Sequence, residues 1–154
     1  TGANDGLLTI NRTDAVTLTQ NISGVGGDAV DRVALRKSAG TTLTLTPTSA
    51  NDFFGITRIE AGSLLAGNST AFSPNSVIQQ ANTAGVLVNL QNFNSTARGL
   101  TGGGTTGGNV TLGTATLTLA PVESDSLTYA GVISGTGAVT QSGAGTTSLM
   151  GRAG

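Results

Sequence analysis

Ser134–Gly151 reads SGTGAVTQSGAGTTSLMG. The stretch has no charge, no aromatic ring and no residue that readily performs chemistry. Small residues nevertheless alternate with apolar or hydroxylic ones, and glycine recurs every few positions. Alternation at period two marks a strand buried on one face, and glycine at short intervals allows tight corners. The same pattern runs outward along the chain. Leu8–Ile10 (LTI), Val16–Thr19 (VTLT), Thr42–Thr46 (TLTLT), Gly85–Leu90 (GVLVNL), Asn109–Gly113 (NVTLG) and Ala115–Ala120 (ATLTLA) all read as strands. Between strands lie turn-forming clusters such as GVGGD, AGNST and TGGGTTGGN. In Asp28–Lys37 (DAVDRVALRK), Ala29, Val30, Val33 and Ala34 have helical spacing. Val33 and Leu35 also alternate as a strand would, and strands flank the segment, so strand is the preferred reading.

The chain repeats itself. Ile22–Gly26 (ISGVG) and Ile133–Gly137 (ISGTG) are one element, each preceded by a Leu-Thr pair, Leu18-Thr19 and Leu127-Thr128, and each followed by A-G-T-T. A repeated unit that cannot bury its own face implies stacking. For short strands with glycine corners, the economical stack is an all-β, right-handed parallel β-helix of roughly 20 residues per rung. One such segment would span 1–154, with about seven or eight rungs and a length of about 35 Å. Val139 and Leu149 or Met150 are expected inside, glycines at corners and threonines on the wet face. An antiparallel sandwich also gives alternation and turns, but explains the near-chargeless repeats less well.

Composition agrees. Of 154 residues, 10% are charged, 3% aromatic and 24 are glycine, against about 25% charged and about 7% glycine in ordinary domains. The net charge of -1 gives no footprint for nucleic acid or an anionic membrane. No apolar run reaches the roughly 20 residues that span a bilayer, so the segment is not read as membrane-inserted. Arg32, Arg36 and Lys37, offset by Asp28 and Asp31, read as a solvated cluster. Five Asn-x-Ser/Thr triplets begin at Asn11, Asn21, Asn68, Asn94 and Asn109, a number that so Asn-, Thr- and Ser-rich a chain produces by chance.

The residues then match a known pattern. LTYAGVISGTGAVTQSGAGTTSLMG (Leu127–Gly151) resembles the autotransporter-associated β-strand repeat of Gram-negative passenger domains. The earlier copy continues as that repeat does, through Asn51, Phe54-Gly55, Thr57, Ile59, Gly62 and Leu64. Val88–Leu119 is similar to a passage of these passengers in which an apolar N-x-F-N turn leads to a glycine-rich loop. An insertion near Asp28 departs from the pattern. The resemblance implies a fragment of a longer passenger: a structural, non-enzymatic stalk of a surface adhesin, exported through the outer membrane. It further implies contacts to host, matrix or neighbouring-cell surface molecules. As an alternative, open rung edges would pair copies end to end into an extracellular filament.

Sites for chemistry are scarce. Histidine and cysteine are absent, which removes Ser/His/Asp and Cys/His machinery. Glu123 and Asp125 are two apart and would face the same way on a strand, but one pair without an aromatic platform for sugar reads as structural. GVGGDAVD is a single imperfect echo of a calcium nonapeptide, and such sites need stacked copies. TGGGTTGGN has no following Lys or helix and is no phosphate cradle. No catalytic residue, metal or cofactor is expected. Phe53, Phe54, Phe72, Phe93 and Tyr129 read as core. Phe53 and Phe54 are the exception, because neighbours on a strand face opposite ways. One of the two is expected to point outward as a contact residue.

Overall fold

The computed structural model describes residues 6–24 and 33–150. They form sixteen strands, numbered in chain order, and no helix. The first sheet stacks β1 (Leu8–Ile10), β3 (Val33–Lys37), β5 (Gly55–Ile59), β7 (Ser76–Gln80), β10 (Gly99–Gly102), β13 (Ser126–Tyr129) and β16 (Thr146–Leu149). The second stacks β2 (Val16–Leu18), β4 (Thr42–Leu45), β6 (Ser63–Ala66), β8 (Leu87–Asn89), β11 (Asn109–Thr111) and β14 (Ile133–Ser134). The third holds β9 (Ser95–Ala97), β12 (Thr116–Leu119) and β15 (Ala138–Gln141). Every pairing is parallel. The chain is therefore a parallel β-solenoid, as the alternation and the glycine corners predict.

Successive turns are roughly 22 residues apart, a little longer than the expected 20, and the seven stacked strands of the first sheet agree with the seven or eight rungs expected. The connections account for the difference. Gly102 to Tyr129 takes more residues than its neighbouring steps because longer corners intervene, and the Leu8 to Leu35 step is also longer but includes residues outside the described ones.

Alternation becomes burial in a direct way. In both TLTL strands, Thr42–Leu45 and Thr116–Leu119, the leucines are buried and the threonines lie on the outer side. Register then stacks like on like: Val16, Leu43, Leu64, Val88, Val110 and Ile133 form one column across the second sheet. Its four central members are fully buried. Burying such a side chain stabilises by about 1.5–3 kcal/mol relative to leaving it exposed. A backbone ladder that fixes register thus also fixes the core.

Among the described residues the third side has no strand before β9. The connections from β4 to β5 and from β6 to β7 close it instead, and their Phe53 and Phe72 enter the core cluster. Asn51, itself buried, ties these layers together. It accepts from the Ile22 N–H at 2.7 Å and donates to the Ala71 carbonyl at 2.7 Å.

The two sequence repeats do not occupy equivalent places. A-G-T-T at Ala39–Thr42 leads into β4 of the second sheet, whereas Ala144–Thr147 leads into β16 of the first. The repeated sequence encodes a corner followed by a strand, and any corner of the prism accepts it. The strand reading of Val33–Lys37 holds, while Asp28–Arg32 and the insertion near Asp28 lie outside the described residues.

Candidate functional site

The Glu123 and Asp125 carboxylates occupy different environments. Asp125 sits at the corner before β13, where both its oxygens meet Arg98 of the preceding turn. Arg98 Nε donates to Oδ2 at 2.7 Å and Nη2 donates to Oδ1 at 2.9 Å. The Val122 N–H also donates to Oδ2, at 2.9 Å. Both side chains are buried, with relative exposures of 4% and 5%. The Arg98 hydrogen bonds hold the Asp125 carboxyl below the usual carboxylate range, outweighing desolvation. Glu123 is exposed and takes no part. The expected shared orientation of the two carboxylates is absent, because a corner rather than a strand separates them.

The basic cluster is not a solvated loop either. Lys37 is buried on the inner side of β3, where its ammonium donates to the Ala39 carbonyl and, at 3.0 Å, to the Ala61 carbonyl. Desolvation lowers its pKa from the ordinary lysine value. Arg36, on the outer side, pairs with Glu60 at 2.8 Å. Strand alternation separates the two neighbours: one becomes structural and the other stays at the surface. Arg32, Asp28 and Asp31 lie outside the described residues.

Asparagines at the corners act as clamps between turns. Asn21 accepts from the Ser49 N–H, Asn82 from those of Thr106 and Gly107, Asn92 from Thr114, Asn94 from Thr116 and Asn109 from Val132. Asn68 donates to the Pro47 carbonyl at 2.8 Å. Four of the five Asn-x-Ser/Thr asparagines therefore hold inter-turn hydrogen bonds. Corner N–H groups lack a ladder partner, and a side-chain amide one turn away supplies it.

The aromatics divide unequally. Phe53, Phe72 and Tyr129 are in the core. Tyr129 stacks in register with the side-chain-free Gly102, and its hydroxyl donates to the Gly108 carbonyl at 2.6 Å. Burial pushes its phenol well above the usual value. Phe54 is half-buried beside the buried Phe53, so the two do face different environments. Phe93 departs from the core expectation, with 39% of its surface exposed. The turn before it explains this. Gln91 and Asn92 hold left-handed φ values of 49° and 68°, which throw the next residue outward. The signal in the sequence was the Gln91–Asn94 turn (QNFN) itself, whose Asn92 and Asn94 fix the corner. Leu149 and Met150 are also exposed, at 47% and 71%, although Leu149 stacks in register with Tyr129. Leu149 belongs to the last described strand, and no further strand covers it there.

Among the described residues no group of three His, Cys, Asp or Glu side chains gathers as a metal site. They also include no helix long and apolar enough to cross a membrane. What the surface offers is three sheet faces and their corners, with Arg36, Arg58 and Glu60 on the first.

No family model matches the chain, and no solved structure matches it. The chain is 40% identical over 142 residues to the adhesin BmaC autotransporter of Brucella suis biovar 1 (strain 1330). The match covers 92% of this chain and 4% of that relative, so the chain spans a small part of the relative's length. The chain is thus a parallel β-solenoid that is similar, along most of its length, to a small part of an autotransporter adhesin.

Proposed function

We propose that this chain is a structural stalk segment of a bacterial surface adhesin, exported through the outer membrane and displayed at the cell surface. The observation that carries this reading is the 40% identity to an autotransporter adhesin along nearly the whole chain. The physical properties of the solenoid support it. Continuous backbone ladders and corner clamps give stiffness along the axis, and the outer faces are free for many weak contacts. We read its role as non-enzymatic, a reading supported by the binding of the Asp125 carboxylate in a buried pair with Arg98. Its partners are surface molecules of host, matrix or neighbouring cells. Antibody raised against the 154-residue chain should label intact cells that express the parent protein, and its Fab fragments should reduce adhesion. Labelling confined to permeabilised cells would overturn the reading.

A second reading, end-to-end stacking of copies into a filament, draws on the parallel strand ladders, whose backbone groups can template pairing at an open edge. Electron microscopy of the purified chain should then show filaments of solenoid width. A stable monomer in analytical ultracentrifugation would exclude this.

A further inference from the structure

The corner at Phe93 is built more firmly than an incidental surface turn. Phe93 N–H donates to the Leu90 carbonyl at 2.8 Å, and Gln91 N–H donates to Asn89 Oδ1 at 2.8 Å. Asn92 and Asn94 on either side fasten to the Thr114 and Thr116 N–H groups of the next turn. Two non-glycine residues in left-handed conformation persist only because these bonds over-determine the turn. The result is an exposed ring that loses little freedom on binding a partner.

The surface beside it has a distinct character. Two residues after Phe93 the third sheet begins, and Thr96, Thr118 and Thr140 lie in register on its outer side. The hydroxyls of Thr118 and Thr140 are 3.2 Å apart. From residue 61 to residue 150 the only charged residues are Arg98, Glu123 and Asp125. Arg98 and Asp125 neutralise each other in a buried pair. Half the solenoid thus presents hydroxyl and amide groups with almost no charge.

We infer that Phe93 and the Thr96–Thr118–Thr140 ladder form a docking surface for a neutral polysaccharide. The aromatic ring stacks on the apolar face of a sugar ring, and the threonine ladder exchanges hydrogen bonds with hydroxyls along the chain. Charge matching selects the partner class. An acidic glycan would lose the hydration of its carboxylates or sulfates and gain no cation here. The inference rests on the proposed role as an exposed adhesin segment and names what that segment touches.

Affinity electrophoresis of the 154-residue chain tests it, in gels containing dextran, galactomannan or mixed-linkage β-glucan, with alginate and heparin gels for comparison. At least one neutral polymer should retard the chain and the acidic ones should not. Phe93→Ala should weaken retardation about tenfold with the thermal midpoint unchanged, and Phe93→Trp should restore it. Thr118→Asp should weaken it as well. No retardation by any neutral polymer, equal retardation of Phe93→Ala, or preference for the acidic polymers would overturn the inference. Surface labelling of intact cells reports on the stalk role independently, so the two readings fail separately.

Discussion

Arg98 and Asp125 form a two-pronged ion pair that links successive turns at the corner leading into the first sheet, with both side chains almost fully buried. Breaking such a pair strands a charge in a place water cannot reach. Asp125→Ala is expected to cost about 3–5 kcal/mol, whereas replacing both partners with apolar residues should cost far less. Urea unfolding of the single and double variants measures the difference. Equal losses in the two would show that the pair is not coupled.

The same pair predicts an acid limb. The folded-state pKa of Asp125 is lowered, chiefly by its Arg98 hydrogen bonds. Its stabilisation is therefore complete above the unfolded value of about 3.9 and is lost as pH falls through the lower folded value. Unfolding free energy should decline on acidification below about pH 4. Asp125→Asn should flatten that decline.

Tyr129 is the only tyrosine, and the chain has no tryptophan, so phenolate absorbance reports one group. Its folded pKa is raised by burial. The stabilisation is present below the unfolded value of about 10 and diminishes as pH rises above it. The phenolate signal should appear together with loss of strand circular dichroism. A phenol that titrates near pH 10 in an intact fold would contradict the buried placement.

Gly113 has a φ of 64°, and a side chain there would collide with Asn92 Oδ1, the acceptor for Thr114. Gly113→Ala is expected to cost about 1–2 kcal/mol from backbone conformation alone, and more through the displaced clamp. In Asn92→Ala the collision is removed, so the second substitution should cost less. A double-mutant cycle by thermal unfolding resolves this coupling.

Leu64 lies between Leu43 and Val88 in the buried column. Leu64→Ala should cost about 2–5 kcal/mol. Thr44→Val, on the outer side of β4, should change stability by about 0.5 kcal/mol or less. Similar costs at the two positions would refute the inward and outward assignment.

Much of this architecture was legible because alternation is a local property. TLTL at Thr42–Leu45 and at Thr116–Leu119 specifies which side chains go in without reference to the rest of the chain. Corners were less legible. Alternation puts Lys37 on the inner side with Leu35, and Arg36 on the outer, but only the Ala39 and Ala61 carbonyls, the latter a turn away, make a buried ammonium tolerable there. Asp125 looked like a partner for Glu123 because sequence spacing cannot show Arg98, which lies a full turn away. Phe93 looked like core because most aromatics of this chain are core, while its exposure depends on the left-handed turn before it.

By itself the sequence determined that the chain would form short strands, stack them in parallel and line their outer sides with hydroxyls more than with charges. These follow from period-two alternation, glycine corners and composition, all of which act over a few residues. Tertiary structure alone decided the length of a turn, the face on which each repeat lands, the burial of Lys37 and Asp125 and the exposure of Phe93. The burial of Lys37 and Asp125 rests on partners more than 20 positions away, where one turn supplies the partner for the next, and the left-handed turn that exposes Phe93 is clamped by Asn92 to Thr114 of the following turn.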